Sequence, residues 1–106
     1  MDEQRMDPKA ARQLRGLLLT LVYLNHNRQG GRLTSTVLRG TLQREGYQFS
    51  RPDILTILQD LKDRQFLRYE QMRDPEEHAF IFNIEITARG RDLVDGMISD
   101  PAVLTQ

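Results

Sequence analysis

The sequence predicts a fold of the α+β class that is mostly helical: three helices, a two-stranded β hairpin and a C-terminal helix. Apolar residues recur at helical spacing through residues 8–64. The period then changes to about two in the segments "FLRYEQMR" and "AFIFNIEI", before a last helical stretch. A chain of 106 residues has the length of one ordinary domain. We therefore expect a single domain over residues 1–106, with residues 1–7 and 101–106 as loose ends.

The first predicted helix runs from Pro8 to about Asn27, with an apolar stripe that repeats every three or four residues. The stripe is wider than one helical face, because Leu19, Val22 and Tyr23 lie beside it. Such a width indicates burial on more than one side, either deep in the domain or against a second copy of the chain. The stripe itself comprises Leu14, Leu17, Leu18, Leu21 and Leu24.

Two further helices follow, separated by a short turn. Thr34 is the expected N-cap of the second helix, which ends before Gly46, and Ser50 is the expected N-cap of the third, with Pro52 in its first turn. This order of helix, short turn and helix is the skeleton of a helix-turn-helix. The residues expected to face inward are Val37, Leu38, Leu42, Ile54, Ile57, Leu58 and Leu61.

The hairpin has an acidic turn, "DPEEH", between its two strands. Strict alternation in the second strand predicts one face packed on the helices and one face in solvent. Thr87 is the expected N-cap of the last helix, which we expect to continue until Asp100 and Pro101 stop it. Alternation assigns Phe80, Phe82, Ile84 and Ile86 to the inner face, and Ile81, Asn83 and Glu85 to the outer face.

Composition excludes several functions. The chain has no cysteine, which rules out disulfides, thiol catalysis and a cysteine-based zinc site. His26 and His78 have no second ligand at helical or hairpin spacing, so we expect neither a metal nor a cofactor. Ser35 and Ser50 lack a nearby histidine, and we expect no enzyme activity. No run approaches the length of a membrane span and no signal peptide is recognisable, so we expect a cytoplasmic protein without a membrane partner.

Charge is balanced overall but unevenly distributed. Fifteen basic and fifteen acidic residues give a formal net charge of zero, so the chain lacks the positive field with which most DNA-binding proteins attract phosphate. Residues 8–49, however, hold seven basic residues against Glu45 alone. A neutral chain with this distribution can still present one basic face.

The order of elements, the segment "LTSTVLRGTLQREGYQFSRPDILTILQDLKDRQFLRYE" and the closing "ITARGRDL" resemble the winged helix-turn-helix regulators of bacteria and phages, of the MarR, PadR and ArsR kind. The resemblance covers about residues 10–98. Thr87 and Gly90 hold the places of a threonine and a glycine that commonly start the helix after the wing in those families. The chain also resembles small winged-helix proteins of Mu-like prophages.

The resemblance implies that residues 50–64 form a recognition helix that enters the major groove of double-stranded DNA. Ser50 would hold a phosphate, Arg51 would bind guanine, and Thr56 and Gln59 would reach adenine or thymine. Three outward aspartates oppose this role, because carboxylates repel phosphate. They are Asp53, Asp60 and Asp63.

The wing departs from the family pattern. Its tip reads "DPEEHA" where related wings carry a basic pair, and Arg73 alone remains beside it. Contact between this tip and the minor groove is therefore not expected at neutral pH. Further DNA contacts would come from arginines around the second helix and in or near the hairpin: Arg28, Arg32, Arg39, Arg44, Arg64, Arg68 and Arg73.

Two functional hypotheses follow. The first is a dimeric winged-helix DNA-binding protein that regulates transcription, paired through surplus apolar residues of its first and last helices. The alternative is a winged-helix module that binds a basic protein partner through its acidic wing and aspartate-rich third helix and does not bind DNA. This alternative better explains the zero net charge. The residues predicted to form the dimer interface are Leu19, Val22, Tyr23, Val94, Met97 and Ile98.

Overall fold

The computed structural model describes residues 6–26, 33–73, 75–76 and 79–104, with only the backbone described at positions 26 and 79. The elements run in the order α1, α2, α3, β1, β2 and α4, as the sequence predicts. The fold is α+β and mostly helical, a winged helix-turn-helix. The bounds are α1 Pro8–His26, α2 Ser35–Arg44, α3 Arg51–Asp63, β1 Leu67–Arg73, β2 Ala79–Ile86 and α4 Ala88–Val94.

Side-chain caps start three of the helices at the predicted residues. The hydroxyl oxygens of Thr34, Ser50 and Thr87 each accept a hydrogen bond from the backbone N–H three residues later, at 3.2, 3.2 and 3.0 Å. Each cap gives a partner to an N–H group that has none within the helix. The helix starts are therefore set by local chemistry, which explains why the sequence alone located them.

One hydrophobic core joins the helices to the inner face of the hairpin. Removing apolar side chains from water is the main favourable contribution to folding. The segment before α2 also contacts the hairpin, where the Ile84 N–H donates to the Leu33 carbonyl at 3.1 Å. The largest fully buried side chains include Phe66, Leu14, Leu18, Leu58 and Leu61.

The hairpin contains a β-bulge that the sequence did not reveal. The antiparallel register is regular from Arg73 to Glu70, but it shifts between Glu70 and Arg68. Asn83 lies at this shift with φ 52°, a left-handed conformation that asparagine tolerates better than most residues. The extra residue puts the side chains before Asn83 on the faces opposite to those that strict alternation predicts.

The bulge makes the predicted alternation of the second strand wrong at its N-terminal half. Ile81 was expected to face solvent and is instead buried. Phe80, expected in the core, is 36% exposed, and Phe82 is only half-buried. Ile84 and Ile86 are buried as expected, because they follow the bulge.

Two residues of the predicted helical stripes are also exposed. Leu24 is 61% exposed near the end of α1, and Val37 is 48% exposed in the first turn of α2. Both line an open groove of about 350 Å³ between these two helices. The prediction that these two residues face inward is therefore wrong, because both lie at a groove between the helices that is open to solvent.

The C-terminal segment differs most from expectation. Helix α4 ends at Val94, because Gly96 adopts φ 83° just beyond it and reverses the chain. Met97 and Ile98 therefore lie outside the helix. Residues 101–104 are not a loose end: Val103 is buried, and the Leu104 N–H donates to the Arg12 carbonyl at 3.2 Å.

This tail lies directly on α1 at a glycine. A Cβ atom added at Gly16 would come within 1.8 Å of the Leu104 carbonyl oxygen, so a side chain at this position would displace the tail. Arg12 donates to the Pro101 carbonyl at 2.8 Å, and Arg15 to the Ala102 carbonyl at 3.0 Å. The tail therefore covers a face of α1 that the sequence left open for another partner.

Candidate nucleic-acid interface

A groove of about 180 Å³ separates the N-terminal part of α3 from α2. Arg39 and Thr36 line it from α2, and Arg51 lines it from α3. The Arg39 Nε donates to the Phe49 carbonyl at 3.3 Å, which fixes the stem of this side chain against the turn between the helices. Two guanidinium groups from different helices thus share one surface, and guanidinium groups bind phosphate oxygens well.

The exposed flank of α3 lies beside this groove. Ser50, Arg51 and Thr56 are all exposed on it. Ser50 uses its oxygen to cap the helix, but its hydroxyl hydrogen can still be donated to a phosphate. Three of the four residues predicted on this helix therefore lie where a nucleic acid can reach them.

Gln59, the fourth residue, is held by hydrogen bonds within the protein. Its amide nitrogen donates to an Asp63 carboxylate oxygen at 3.0 Å, and its amide oxygen accepts from the Tyr69 hydroxyl at 3.2 Å. Both bonds would have to be exchanged before Gln59 could read a base. Gln59 and Tyr69 instead connect α3 to the hairpin. Burial raises the pKa of Tyr69, so this hydroxyl stays protonated and able to donate at neutral pH.

Asp60 does not face outward as expected. Its carboxylate accepts from Arg15 of α1 and from the Arg64 Nε, the latter at 3.0 Å, and Arg64 also reaches Asp100 of the tail at 3.4 Å. The hydrogen bond to Asp60, and next its charge, raise the pKa of Arg64 against the opposing effect of burial. This network holds Asp60 away from the exposed flank of α3, and it pairs Arg64 with carboxylates of the protein itself. The spacing of Asp60 and Arg64, four residues apart, is the feature of the sequence that could have indicated their ion pair.

Changing Asp60 to Asn should lower the free energy of unfolding by about 1 to 3 kcal/mol, because Arg15 and Arg64 would lose a charged partner in a partly buried site. Urea denaturation of both proteins measures the difference. Asp63→Asn is the matched control: Asp63 is exposed on the same helix, and its change should stay within about 0.5 kcal/mol. Equal losses in the two variants would contradict the network's role.

Three of the other predicted arginines, Arg44, Arg68 and Arg73, do not line the groove. Arg44 donates to the Thr41 hydroxyl at 3.2 Å and lines the separate groove between α1 and α2. Arg68 forms an ion pair with Glu85 at 2.8 Å on the outer face of the hairpin. Arg73 is exposed at the end of β1. Arg28 and Arg32 lie outside the described residues.

The predicted dimer residues fall into two groups. Leu19 and Val22 are buried in the core of the single chain, which corrects their assignment to a surplus apolar face. Tyr23, Val94 and Ile98 are half-buried, and Met97 is exposed. The Tyr23 hydroxyl donates to an Asp95 carboxylate oxygen at 2.7 Å, and this hydrogen bond raises the pKa of Tyr23.

Metal ligation and membrane insertion find no support in the described part of the chain. In the described ranges, no group of three or more His, Asp or Glu side chains is arranged to hold a metal ion. None of the helices seen in those ranges combines the length and apolar character needed to cross a bilayer.

The chain matches no protein-family model and no curated protein. Its fold is similar to that of solved structures of transcription regulators. A PadR-like transcription factor from Bacteroides fragilis superposes with a TM-score of 0.59 at 15% identity, over 86% of this chain and 85% of that one. A putative transcriptional regulator from Thermoplasma acidophilum superposes with a TM-score of 0.53 at 18% identity, over 79% and 82% of the two chains. The predicted resemblance to winged-helix regulators is confirmed at the level of the fold.

Proposed function

We propose that this protein is a winged-helix transcriptional regulator that binds double-stranded DNA through α3 and the groove beside it. The observation that carries the proposal is the shared groove of Arg39 and Arg51, next to the exposed flank of α3. Positive groups on one face allow a chain of zero net charge to attract phosphate locally. Asp60 forms ion pairs with Arg15 and Arg64. This pairing favours the same interpretation, because it reduces the negative charge on the exposed flank of α3.

Within this proposal the contacts have different roles. Arg51 and Thr56 lie on the flank that would meet base edges, and the cap residue Ser50 lies beside them. Arg39 holds a backbone phosphate and sets the register of the helix in the groove. Gln59 acts as a link to the hairpin rather than as a base-reading residue.

The active form would be a homodimer in the cytoplasm of a bacterium, or encoded by a phage. Two-fold pairing would place two recognition helices about one turn of DNA apart, on a roughly palindromic site. Met97 is exposed, and Tyr23, Val94 and Ile98 retain part of their surface for this pairing. The names of the two similar structures, both described as transcription regulators, support the proposal. Light scattering should give twice the 12.4 kDa mass of one chain.

Fluorescence anisotropy with a labelled DNA duplex tests the proposal. We expect binding of nonspecific duplex in the range of about 1 to 100 µM at physiological salt, tightening as salt is lowered. The double variant Arg39→Ala/Arg51→Ala should weaken binding at least about tenfold. It should also reduce the slope of log K against log salt by about one for each phosphate that the variant no longer neutralises.

Lys9→Ala is the control for the loss of a positive charge outside the groove. Lys9 is exposed at the start of α1 and does not line the groove, so its loss should change the affinity less than about twofold. Absence of binding by the wild-type protein at low salt would reject the proposal in favour of the interaction module. An equal effect of Lys9 and the two groove arginines would show nonspecific attraction only.

A further inference from the structure

The outer face of the hairpin carries a strip of exposed apolar side chains. Met72 of β1 pairs directly with Phe80 of β2, so their side chains are neighbours on one face. Phe82 lies two residues further along the same face, and its ring stacks on that of Phe80 with the centroids 5.8 Å apart. We call Met72, Phe80 and Phe82 the apolar strip. Met72 is 55% exposed and Phe80 36% exposed.

The bulge at Asn83 is the reason that this strip faces solvent. Without it, Phe80 and Phe82 would share a face with Ile84 and Ile86 and would enter the core. With it, Ile81 takes the inner position, and the two phenylalanines turn outward. Bulges are a common means of re-aiming side chains at sheet edges. A contiguous patch of large apolar side chains on a protein surface can mark an interaction site.

The charges around the strip define what can bind there. Residues 67–86 contain two basic and five acidic residues. Arg68 and Glu85 form an ion pair, which leaves Arg73 and four acidic residues. Glu70 pairs across the strands with Phe82, directly beside the strip, and accepts a hydrogen bond from Asn83. An apolar strip with Glu70 beside it, on a hairpin of net negative charge, repels phosphate and attracts cations.

We propose that the apolar strip is a docking site for a basic segment of another protein, with apolar anchors that cover Met72 and Phe80 and with Lys or Arg side chains that meet the carboxylates of the hairpin. The strip lies on the face of the hairpin opposite Tyr69, whose hydroxyl contacts Gln59 of α3. Docking therefore leaves the recognition helix accessible. This surface is separate from the groove of Arg39 and Arg51, and the inference does not depend on DNA binding.

A library of random displayed dodecapeptides tests the chemistry of the partner. The full chain is the bait. Peptides that also bind the variant Met72→Ser/Phe80→Ser are removed by counter-selection. We expect the enriched peptides to combine a net positive charge with at least two large apolar residues. A synthetic copy of an enriched peptide should bind the wild-type chain at least tenfold more tightly than the double variant.

Leu24→Ser is the control, because Leu24 is another exposed apolar side chain on a different surface. It should leave peptide binding unchanged. Circular dichroism and thermal melting establish that the double variant is folded, and both substituted residues are exposed. Its affinity for a DNA duplex should match that of the wild-type chain within twofold.

Several results would overturn the inference. Enriched peptides of acidic or purely polar composition, or the absence of any enrichment, would reject the basic partner. A loss of DNA affinity in Met72→Ser/Phe80→Ser would show that the strip contacts DNA instead. A change from dimer to monomer in that variant would show that the strip is covered by a second copy of the chain.

Discussion

Replacing Phe66 with alanine is expected to lower the free energy of unfolding by about 3 to 5 kcal/mol, the range for deleting a buried phenyl ring. Phe66 is fully buried at the joint between α3 and β1. The Arg89 guanidinium of α4 lies over its ring, 5.0 Å from the centroid. The substitution therefore leaves a cavity at the point where α3, the hairpin and α4 meet.

Urea denaturation followed by circular dichroism measures this loss. Small domains are stable by about 5 to 15 kcal/mol in total, so the variant should unfold at a clearly lower urea concentration than the wild type. Phe80→Ala is the matched control, because it removes the same ring from an exposed site and should cost less than about 1 kcal/mol. A loss in Phe66→Ala as small as that of the control would mean that the joint is not part of the core.

Gly90→Ala is expected to have the second largest effect, a loss of about 2 to 3 kcal/mol from overpacking. A Cβ atom at this position would come within 2.3 Å of the Phe66 carbonyl oxygen and 2.7 Å of Ile86 Cγ1. Neither atom can move freely. The Phe66 carbonyl accepts from the Thr87 N–H at 3.1 Å, and Ile86 is buried in the core.

Gly40→Ala is the control for this prediction. Gly40 lies inside α2, and the nearest atom to an added Cβ is a terminal nitrogen of Arg44 at 3.7 Å. Because alanine favours a helix over glycine by about 1 kcal/mol, this change should be neutral or stabilising. The melting temperatures of the two variants should therefore shift in opposite directions or by clearly different amounts. A Gly90→Ala protein as stable as the wild type would contradict the close approach seen between α4 and Phe66.

The joint between α3 and β1 also explains why Thr87 and Gly90 could be recognised in the sequence as the start of a helix. Thr87 accepts from the Gly90 N–H and donates its hydroxyl to the Gln65 carbonyl at 2.7 Å, so it both caps α4 and holds the turn before β1. Gly90 is required because the backbone of Phe66 passes where a side chain would lie. A threonine and a glycine three residues apart therefore indicated a helix start correctly, although the reason for the glycine needed coordinates.

Predictions that depended on strict repetition were less successful. Alternation in β2 failed because a single bulge at Asn83 reverses the faces of all residues before it, and asparagine is not a sufficient signal for a bulge. Helical spacing placed Leu19 and Val22 on a surplus face, but the chain buries both within its own core. Asp60 looked like an exposed charge, because its partner Arg15 is distant in sequence.

By itself the sequence determined the order of the elements, the three side-chain caps and the start of the third helix. These features depend on interactions among residues within a few positions of one another. The tertiary structure decided which residues share a surface: Arg39 with Arg51, Asp60 with Arg15, and Met72 with Phe80. It also decided that the C-terminal tail covers α1 at Gly16. Such pairings depend on packing between distant segments, which local periodicity and capping chemistry do not encode.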